Sequence, residues 1–269
     1  MDSNDQLIEA QAALGTTTRR VGDLCRSLRS ADVPIPGSDW TVREATVHLA
    51  FMADVYGEIA LGTPGPIAGF DVATVAQRNA ERIADIPESD PGKLADLLAQ
   101  ATNHFLEATA GRPAGETVDY VEFSNMRVEL AQLAGILLGE FLLHGYDIAT
   151  ALGAPWPIMA SEALLVLGGY SPVLGAVTNP ETAKGHTGRY EVGLRGGPRF
   201  VVRFSDGEYG LESPDSGPVD CTITADPVAF LMVATGRLSR WAAIALGLLA
   251  AGGDRPELAV GFTDLFLYP

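Results

Sequence analysis

The amino-terminal half of the chain repeats its apolar side chains at intervals of three and four residues, which is the spacing of amphipathic helices. The first such stripe recurs every seven residues, at Leu7, Leu14, Val21 and Leu28. It predicts a long helix over residues 4–30 with an apolar seam of the kind found in helical bundles. A hydroxyl residue followed three positions later by a carboxylate, Thr41 and Glu44, then predicts a capping box at the start of a second helix.

Three further segments carry the same helical spacing. Residues 71–84 follow a Thr-Pro-Gly-Pro turn at 63–66, and another amphipathic segment follows the break at 87–91. The apolar side chains of that segment are Leu94, Leu97, Leu98, Ala101, Phe105 and Ala108. A turn-rich, partly extended stretch over residues 111–123 precedes the last predicted helix, at residues 124–152. Four or five helices with one inward stripe each predict an antiparallel four-helix bundle.

The pattern changes after the sequence Gly-Ala-Pro-Trp-Pro at residues 153–157, which is the best linker in the chain. A short helix is expected at 161–173. Segments with the composition of strands then follow at 190–194, 200–204, 209–211 and 221–224, with a hairpin turn at 205–208. Further helices are expected at 227–234, 240–250 and 256–267. We therefore predict two domains, an all-α bundle over residues 1–155 and an α+β domain over residues 156–269.

Composition limits the partners that this chain can have. With 18 Lys and Arg against 34 Asp and Glu in 269 residues, the net charge is −16 at pH 7. Nucleic acids and anionic membranes are bound by clustered cations, so neither is expected as a partner. The acidic first residues lack the features of a signal peptide, and the longest apolar runs fall short of the ~20 residues that span a bilayer. We expect a soluble, cytoplasmic protein in which Cys25 and Cys221 are reduced thiols.

Two polar residues interrupt the apolar stripe of the last bundle helix. Glu140 and His144 lie four residues apart on that stripe, so a carboxylate and an imidazole are expected to point toward the core. The apolar members of the stripe are Leu130, Leu133, Leu137, Phe141 and Ile148. His48 falls on the apolar face of the second helix in the same way. Because a buried carboxylate without a partner costs several kcal/mol, the site must supply a cation, a hydrogen-bond network or a metal ion.

Two histidines and one carboxylate form a ligand set of catalytic zinc sites, in which a fourth position stays open for water, a thiol or a substrate. His48, Glu140 and His144 are therefore candidate zinc ligands, although nickel or iron also fits such a set. Asp147 is expected either to orient the imidazole of His144 or to be a solvated charge near the helix end. The spacing alone also fits an ordinary ion pair between Glu140 and His144, and a hydrogen-bonded core histidine at position 48.

Three segments carry a family pattern: Trp40-Thr41-Val42-Arg43-Glu44 leading to His48-Leu49, Gly139-Glu140 leading to His144-Gly145-Tyr146-Asp147, and Asp220-Cys221-Thr222-Ile223-Thr224-Ala225-Asp226. The first two resemble the mycothiol-dependent maleylpyruvate isomerase family, and the third is similar to the sterol-carrier-protein-like α+β domain that often follows in that family. The resemblance implies a DinB-like bundle with a zinc ion held by His48, Glu140 and His144. Zinc and mycothiol are thus the expected cofactor and cosubstrate.

The resemblance also implies an activity: isomerisation or S-transfer on an electrophilic small molecule such as maleylpyruvate, with mycothiol or a similar low-molecular-weight thiol. For an anionic substrate, the cations predicted near the bundle mouth are candidate binding residues, with solvated helix charge as the alternative: Arg78, Arg82 and Arg127. Without a thiol, the same zinc site could activate water for hydrolysis. A different class is a non-catalytic protein that binds an apolar ligand in its carboxyl-terminal domain and uses the metal only for stability.

Overall fold

A computed structural model describes residues 3–63, 72–120 and 126–267. Four sequence predictions lie wholly or partly outside these ranges. They are the turn at 63–66, the helix start at residue 71, the end of the extended stretch 111–123 and the helix start at residue 124. The chain divides into two compact units, Met1–Ile158 with Gly168–Tyr170, and Met159–Leu167 with Ser171–Pro269. None of the helices in the described ranges is long and apolar enough to cross a membrane.

The first unit is a helical bundle with a short two-stranded sheet. Its elements are α1 (Ser3–Arg26), α2 (Val42–Ala60), α3 (Val72–Ala84), α4 (Pro91–Thr109), β1 (Thr117–Tyr120), β2 (Met126–Glu129) and α5 (Leu130–Ala151). Helices α1 and α2 each pack against both α4 and α5, and α3 lies against α2. The predicted seam of α1 is buried at Leu7, Leu14 and Val21. The predicted four-helix bundle is therefore confirmed, since apolar stripes at helical spacing bury themselves against one another.

The start of α2 has the predicted capping box. The backbone N–H of Thr41 donates to the Glu44 carboxylate at 2.7 Å, and the backbone N–H of Glu44 donates to the Thr41 hydroxyl at 3.3 Å. These bonds satisfy donors that have no partner within the helix. The cap fixes where α2 begins, and hence which of its side chains face the interior.

The helix predicted at 124–152 begins later than expected. Residues Met126–Glu129 form β2, which pairs antiparallel with β1 and places Val128 opposite Val118. The backbone N–H of Leu130 then donates to the carbonyl of Glu116, so the first residue of α5 is still tied to the hairpin. A segment of only four residues fits the apolar pattern of a strand as well as that of a helix. The presence of β1 as a pairing partner makes this segment a strand.

The second unit is an α+β domain, as predicted. Its elements are α6 (Ala160–Tyr170, whose last three residues group with the first unit), α7 (Pro180–Ala183), β3 (Gly188–Leu194), β4 (Arg199–Ser205), β5 (Glu208–Glu212), β6 (Cys221–Ala225), α8 (Pro227–Ala234), α9 (Arg240–Ala245), β7 (Leu249–Gly252) and a 3-10 helix (Pro256–Leu265). The sheet order is β5-β4-β3-β6-β7, in which β3 and β6 are parallel and the other pairs antiparallel. Its core contains four contacting aromatic rings, those of Tyr190, Phe204, Phe262 and Phe266.

Two predicted helices of this unit are wrong in part. The helix expected at 240–250 ends at Ala245, because Gly247 takes a left-handed φ of 68° and the chain returns as β7 beside β6. The helix expected at 256–267 is a 3-10 helix that ends at Leu265. Glycine at a helix end permits the turn that an apolar pattern alone does not reveal.

Candidate metal centre

The structure brings together three candidate ligands from two helices of the bundle. His48 lies in the second turn of α2, and Glu140 and His144 lie one turn apart, at and just beyond the middle of α5. One imidazole nitrogen from each histidine and one oxygen of the carboxylate all lie within 4.8 Å of one another. His48 is buried, whereas 21 % of the Glu140 side chain and 22 % of the His144 side chain are exposed. The cluster is therefore closed on the His48 side and accessible from the α5 side.

The distances from Glu140 to the two histidines suit donors that share one ion. The Nε2 atom of His48 lies 3.3 Å from Oε2 of Glu140, and Nε2 of His144 lies 3.5 Å from the same oxygen. In a tetrahedral site with bonds of about 2.0–2.1 Å, neighbouring ligand atoms are separated by about 3.3–3.4 Å. The contact between His48 and Glu140 is also within hydrogen-bond distance.

The electrostatics favour the protonation states that bind metals. Burial, with a smaller contribution from the nearby charge of His144, lowers the pKa of His48, so its imidazole is neutral near pH 7. Burial works to raise the pKa of Glu140, but hydrogen bonds from His144 and His48 outweigh it and hold that pKa well below its usual range. His48 and Glu140 are therefore a neutral imidazole beside an ionised carboxylate, and not an ion pair. These are the protonation states in which the two side chains bind metals.

Asp147 lies where it can orient His144. Its Oδ2 atom is 3.5 Å from Nδ1 of His144, three residues earlier on α5, and both side chains are 22 % exposed. A proton on Nδ1 that points at this carboxylate leaves Nε2 free to face Glu140. Histidine ligands in metal sites commonly have such an acceptor on the ring nitrogen that does not bind the ion.

A tryptophan that the sequence argument used only as part of a motif also contacts the cluster. The ring centroid of Trp40 lies 4.8 Å from that of His48 and 5.4 Å from that of His144, and the two imidazoles are 5.1 Å apart. Its signal in the sequence is its place directly before Thr41, the N-cap of α2. The cap sets the direction from which the chain enters the helix, and this brings the indole to the inner face.

The three predicted arginines lie in different places. The guanidinium of Arg82 is 4.8 Å from the ring centroid of Phe51, which follows His48 by three residues on α2. Arg78 is half-buried one turn earlier on α3. Arg127 pairs with Asp119 at 3.1 Å across the β1–β2 hairpin. That hairpin joins the first residue of α5, and Glu140 follows ten residues later, a rise of about 15 Å.

A surface groove of about 820 Å³ lies between α2 and α4. It is lined by Phe51, Asp54 and His104 among others, and Nδ1 of His104 donates to the Asp54 carboxylate at 2.9 Å. His48, Glu140 and His144 do not line this groove. We therefore place the candidate centre at the cluster, which has the metal-binding side chains, rather than at the groove.

Comparison with known proteins agrees with this architecture. The family model of the mycothiol maleylpyruvate isomerase N-terminal domain matches residues 14–149, and that of the SCP-2 sterol transfer family matches residues 175–266. No curated protein matches the chain.

Two crystal structures of the mycothiol-dependent maleylpyruvate isomerase share the fold, each over 91 % of this chain and 92 % of theirs. One is a histidine-to-alanine mutant, with 14 % sequence identity and a TM-score of 0.54. The other has 13 % identity and a TM-score of 0.52. Identities this low show a common fold alone. By the family model that matches half of its length, the chain belongs to the mycothiol maleylpyruvate isomerase N-terminal domain family, with an SCP-2 domain following the bundle.

Proposed function

We propose that this protein is a zinc-dependent enzyme that uses mycothiol or a similar low-molecular-weight thiol to isomerise, or to transfer sulfur to, an electrophilic small molecule. The observation that carries the proposal is the convergence of two imidazole nitrogens and one carboxylate oxygen within 4.8 Å. The family of the bundle supports the thiol, because the solved relatives are described as mycothiol-dependent isomerases. Maleylpyruvate is accordingly the first electrophile to test.

The residues fit a zinc ion on chemical grounds. His48 is neutral and Glu140 is ionised, as zinc ligands must be, and three protein ligands are the number that leaves one position open. Exposure of the α5 side gives a small thiol a path to that position. A zinc ion bound there would lower the pKa of a coordinated thiol and thereby favour the thiolate at neutral pH.

The chain's own residues would divide the remaining tasks. His48, Glu140 and His144 hold the ion, and Asp147 keeps a proton on Nδ1 of His144 so that Nε2 faces inward. Arg82, positioned over Phe51 next to the His48 turn, is the best placed of the three predicted arginines to attract an anionic substrate.

The reaction itself needs a reversible addition. The thiolate sulfur forms a bond to one carbon of the activated double bond, and the π electrons move into the conjugated carbonyl group. The former double bond is then single and rotates. When the C–S bond breaks, the electron pair of the enolate forms the trans double bond and the thiolate is released unchanged.

Metal analysis of the purified protein tests the centre. We expect about one zinc per chain in the wild type and strong loss in His48→Ala and His144→Ala. His186→Ala is the matched control, because His186 belongs to the other unit and hydrogen-bonds Tyr190 there. This variant should retain zinc. Equal zinc in all three variants would exclude the site as described.

Turnover tests the reaction class. Wild-type protein loaded with zinc is assayed with maleylpyruvate in the presence and absence of mycothiol, and the trans product is followed by absorbance. We expect conversion only with the thiol. Water-dependent consumption without thiol would favour a zinc hydrolase instead. Zinc that raises the melting temperature but supports no turnover with any thiol acceptor would favour a non-catalytic role for the metal.

A further inference from the structure

The indole of Trp40 connects the bundle core to both histidines of the proposed centre. Its ring centroid lies 4.8 Å from the imidazole of His48 and 5.4 Å from that of His144, with interplanar angles of 47° and 35°. One aromatic side chain is thus in van der Waals contact range of two candidate ligands that come from different helices. Any change in the position of this indole is transmitted to both rings.

Trp40 is itself held firmly. The backbone N–H of Ile35 donates to the carbonyl of Trp40 at 2.9 Å, and the N–H of Trp40 donates to the hydroxyl of Ser38 at 3.1 Å. The next residue, Thr41, is fixed by the capping box with Glu44. Backbone bonds on both sides of Trp40 therefore determine where its side chain leaves the chain.

The indole also packs against a cluster of buried side chains: Ala31, Val47, Ile83 and Leu94. Ile86 packs against the same cluster, and Arg43 fixes the chain there by donating to the carbonyls of Ile86 and Glu88. The members of this cluster come from α2, α3, α4 and the segment before α2. Trp40 thus extends the rigid core of the bundle to the imidazoles.

We propose that Trp40 is a positioning residue of the metal centre, which sets the orientation of His48 and His144. This inference rests on the proposed metal centre and not on the identity of the thiol or the electrophile. Aromatic rings in tilted contact at these separations attract one another beyond the burial of their area. The apolar surroundings of a metal site control its solvent access and the precision with which its ligands are held.

Metal affinity is the first test. Zinc affinity is measured by competition with a chromophoric chelator for wild type, Trp40→Ala, Trp40→Phe and Ile86→Ala, and the visible spectrum of the cobalt-substituted protein reports ligand geometry. We expect Trp40→Ala to weaken zinc binding by about 10–100-fold, as supporting residues of metal sites do, and Trp40→Phe to restore part of it. Ile86→Ala lowers stability through the same core cluster, but should keep wild-type affinity and the wild-type cobalt spectrum.

These outcomes separate positioning from a general loss of folding. If Trp40→Ala does not fold, Trp40→Phe decides: wild-type zinc affinity together with an unchanged cobalt spectrum would overturn the proposal. Equal losses of affinity in Trp40→Phe and Ile86→Ala would overturn it too, because then only stability matters. Failure of the wild type to bind metal would remove both the centre and this role, whereas metal binding without thiol turnover would remove only the proposed reaction.

Fluorescence tests the contact between Trp40 and the metal centre. In the Trp156→Phe, Trp241→Phe double variant, Trp40 is the one tryptophan that remains of the three in the sequence. We expect cobalt to quench its emission up to one equivalent and then no further. Emission that cobalt leaves unchanged would contradict contact between Trp40 and the metal centre.

Discussion

Gly145 follows the candidate ligand His144, and the structure leaves no room for a side chain there. A Cβ atom on Gly145 would lie 2.7 Å from Cη2 of Trp156, and closer still to its neighbour Cζ2 in the same ring. Both positions are in the first unit, and Trp156 comes from the segment after α5. Replacement of Gly145 by alanine must therefore displace the indole.

The loss of stability follows from the interactions that the Trp156 indole makes. Its Nε1–H donates to the carbonyl of Leu142 at 3.0 Å, and the guanidinium of Arg20 stacks on it at 3.8 Å. Overpacking costs about 1–3 kcal/mol, and the lost hydrogen bond about 1 kcal/mol more. Alanine gains up to about 1 kcal/mol over glycine within a helix, which offsets only part of this. We expect Gly145→Ala to lower the free energy of unfolding by about 1–3 kcal/mol.

Urea denaturation of the metal-free protein, followed by far-UV circular dichroism, measures this change without relying on the displaced indole. Gly15→Ala in α1 is the matched control, because a Cβ there meets only Arg19, at 3.9 Å, and the helix gain of up to about 1 kcal/mol is then unopposed. The two glycine replacements should shift the midpoint in opposite directions. A Gly145→Ala protein as stable as the wild type would refute the close packing of Trp156 on α5.

The remaining predictions concern the centre. Burial lowers the pKa of His48 in the folded state, so at mildly acidic pH the unfolded chain takes up a proton that the folded chain does not. The folded protein should therefore have its full free energy of unfolding above the unfolded-state pKa of about 6.5, and lose part of it as the pH falls below that value. Urea midpoints of the metal-free protein between about pH 8 and pH 5 check this, and a flat profile would contradict it. The depressed pKa of Glu140 adds a second loss, which begins below its unfolded pKa of about 4.3. Asp147→Asn should weaken zinc about 10–100-fold in chelator competition, and an unchanged dissociation constant would show that Asp147 is only a solvated charge. Arg82→Gln should raise the KM for maleylpyruvate about tenfold, which corresponds to the loss of one charge-assisted hydrogen bond, and Arg127→Gln should leave the KM unchanged. A larger rise for Arg127→Gln in steady-state kinetics would place the anion site at the hairpin.

Helical periodicity was enough to bring the candidate ligands together. Glu140, His144 and His48 were placed on inward faces from spacing alone, and the capping box at Thr41 fixed the start of the helix that carries His48. A bundle converts spacing into contact reliably, because every helix must bury its one apolar stripe. The polar residues on those stripes then have to meet in the interior.

The parts that sequence reasoning missed depend on partners distant in the sequence. Residues Met126–Glu129 form a strand because they pair with β1, and residues Leu249–Gly252 form a strand because they pair with β6. The contact of Trp40 with two imidazoles likewise depends on how the segment before α2 folds back. Local patterns carry no record of such pairings, so strand and helix compete on nearly equal terms in short apolar segments.

The choice between an ion pair and a metal centre also depends on a residue distant in sequence. Glu140 and His144 alone fit an ordinary helical pair, in which burial is slight and both groups are charged. His48 alters this, because it is buried, its pKa is lowered, and it approaches the same carboxylate oxygen at 3.3 Å. A carboxylate held between a neutral imidazole and a second histidine lacks a full compensating charge from His48, and a divalent cation would supply that charge. The burial that keeps His48 neutral thus leaves an imidazole nitrogen that a metal ion can bind, which an ordinary ion pair would not do.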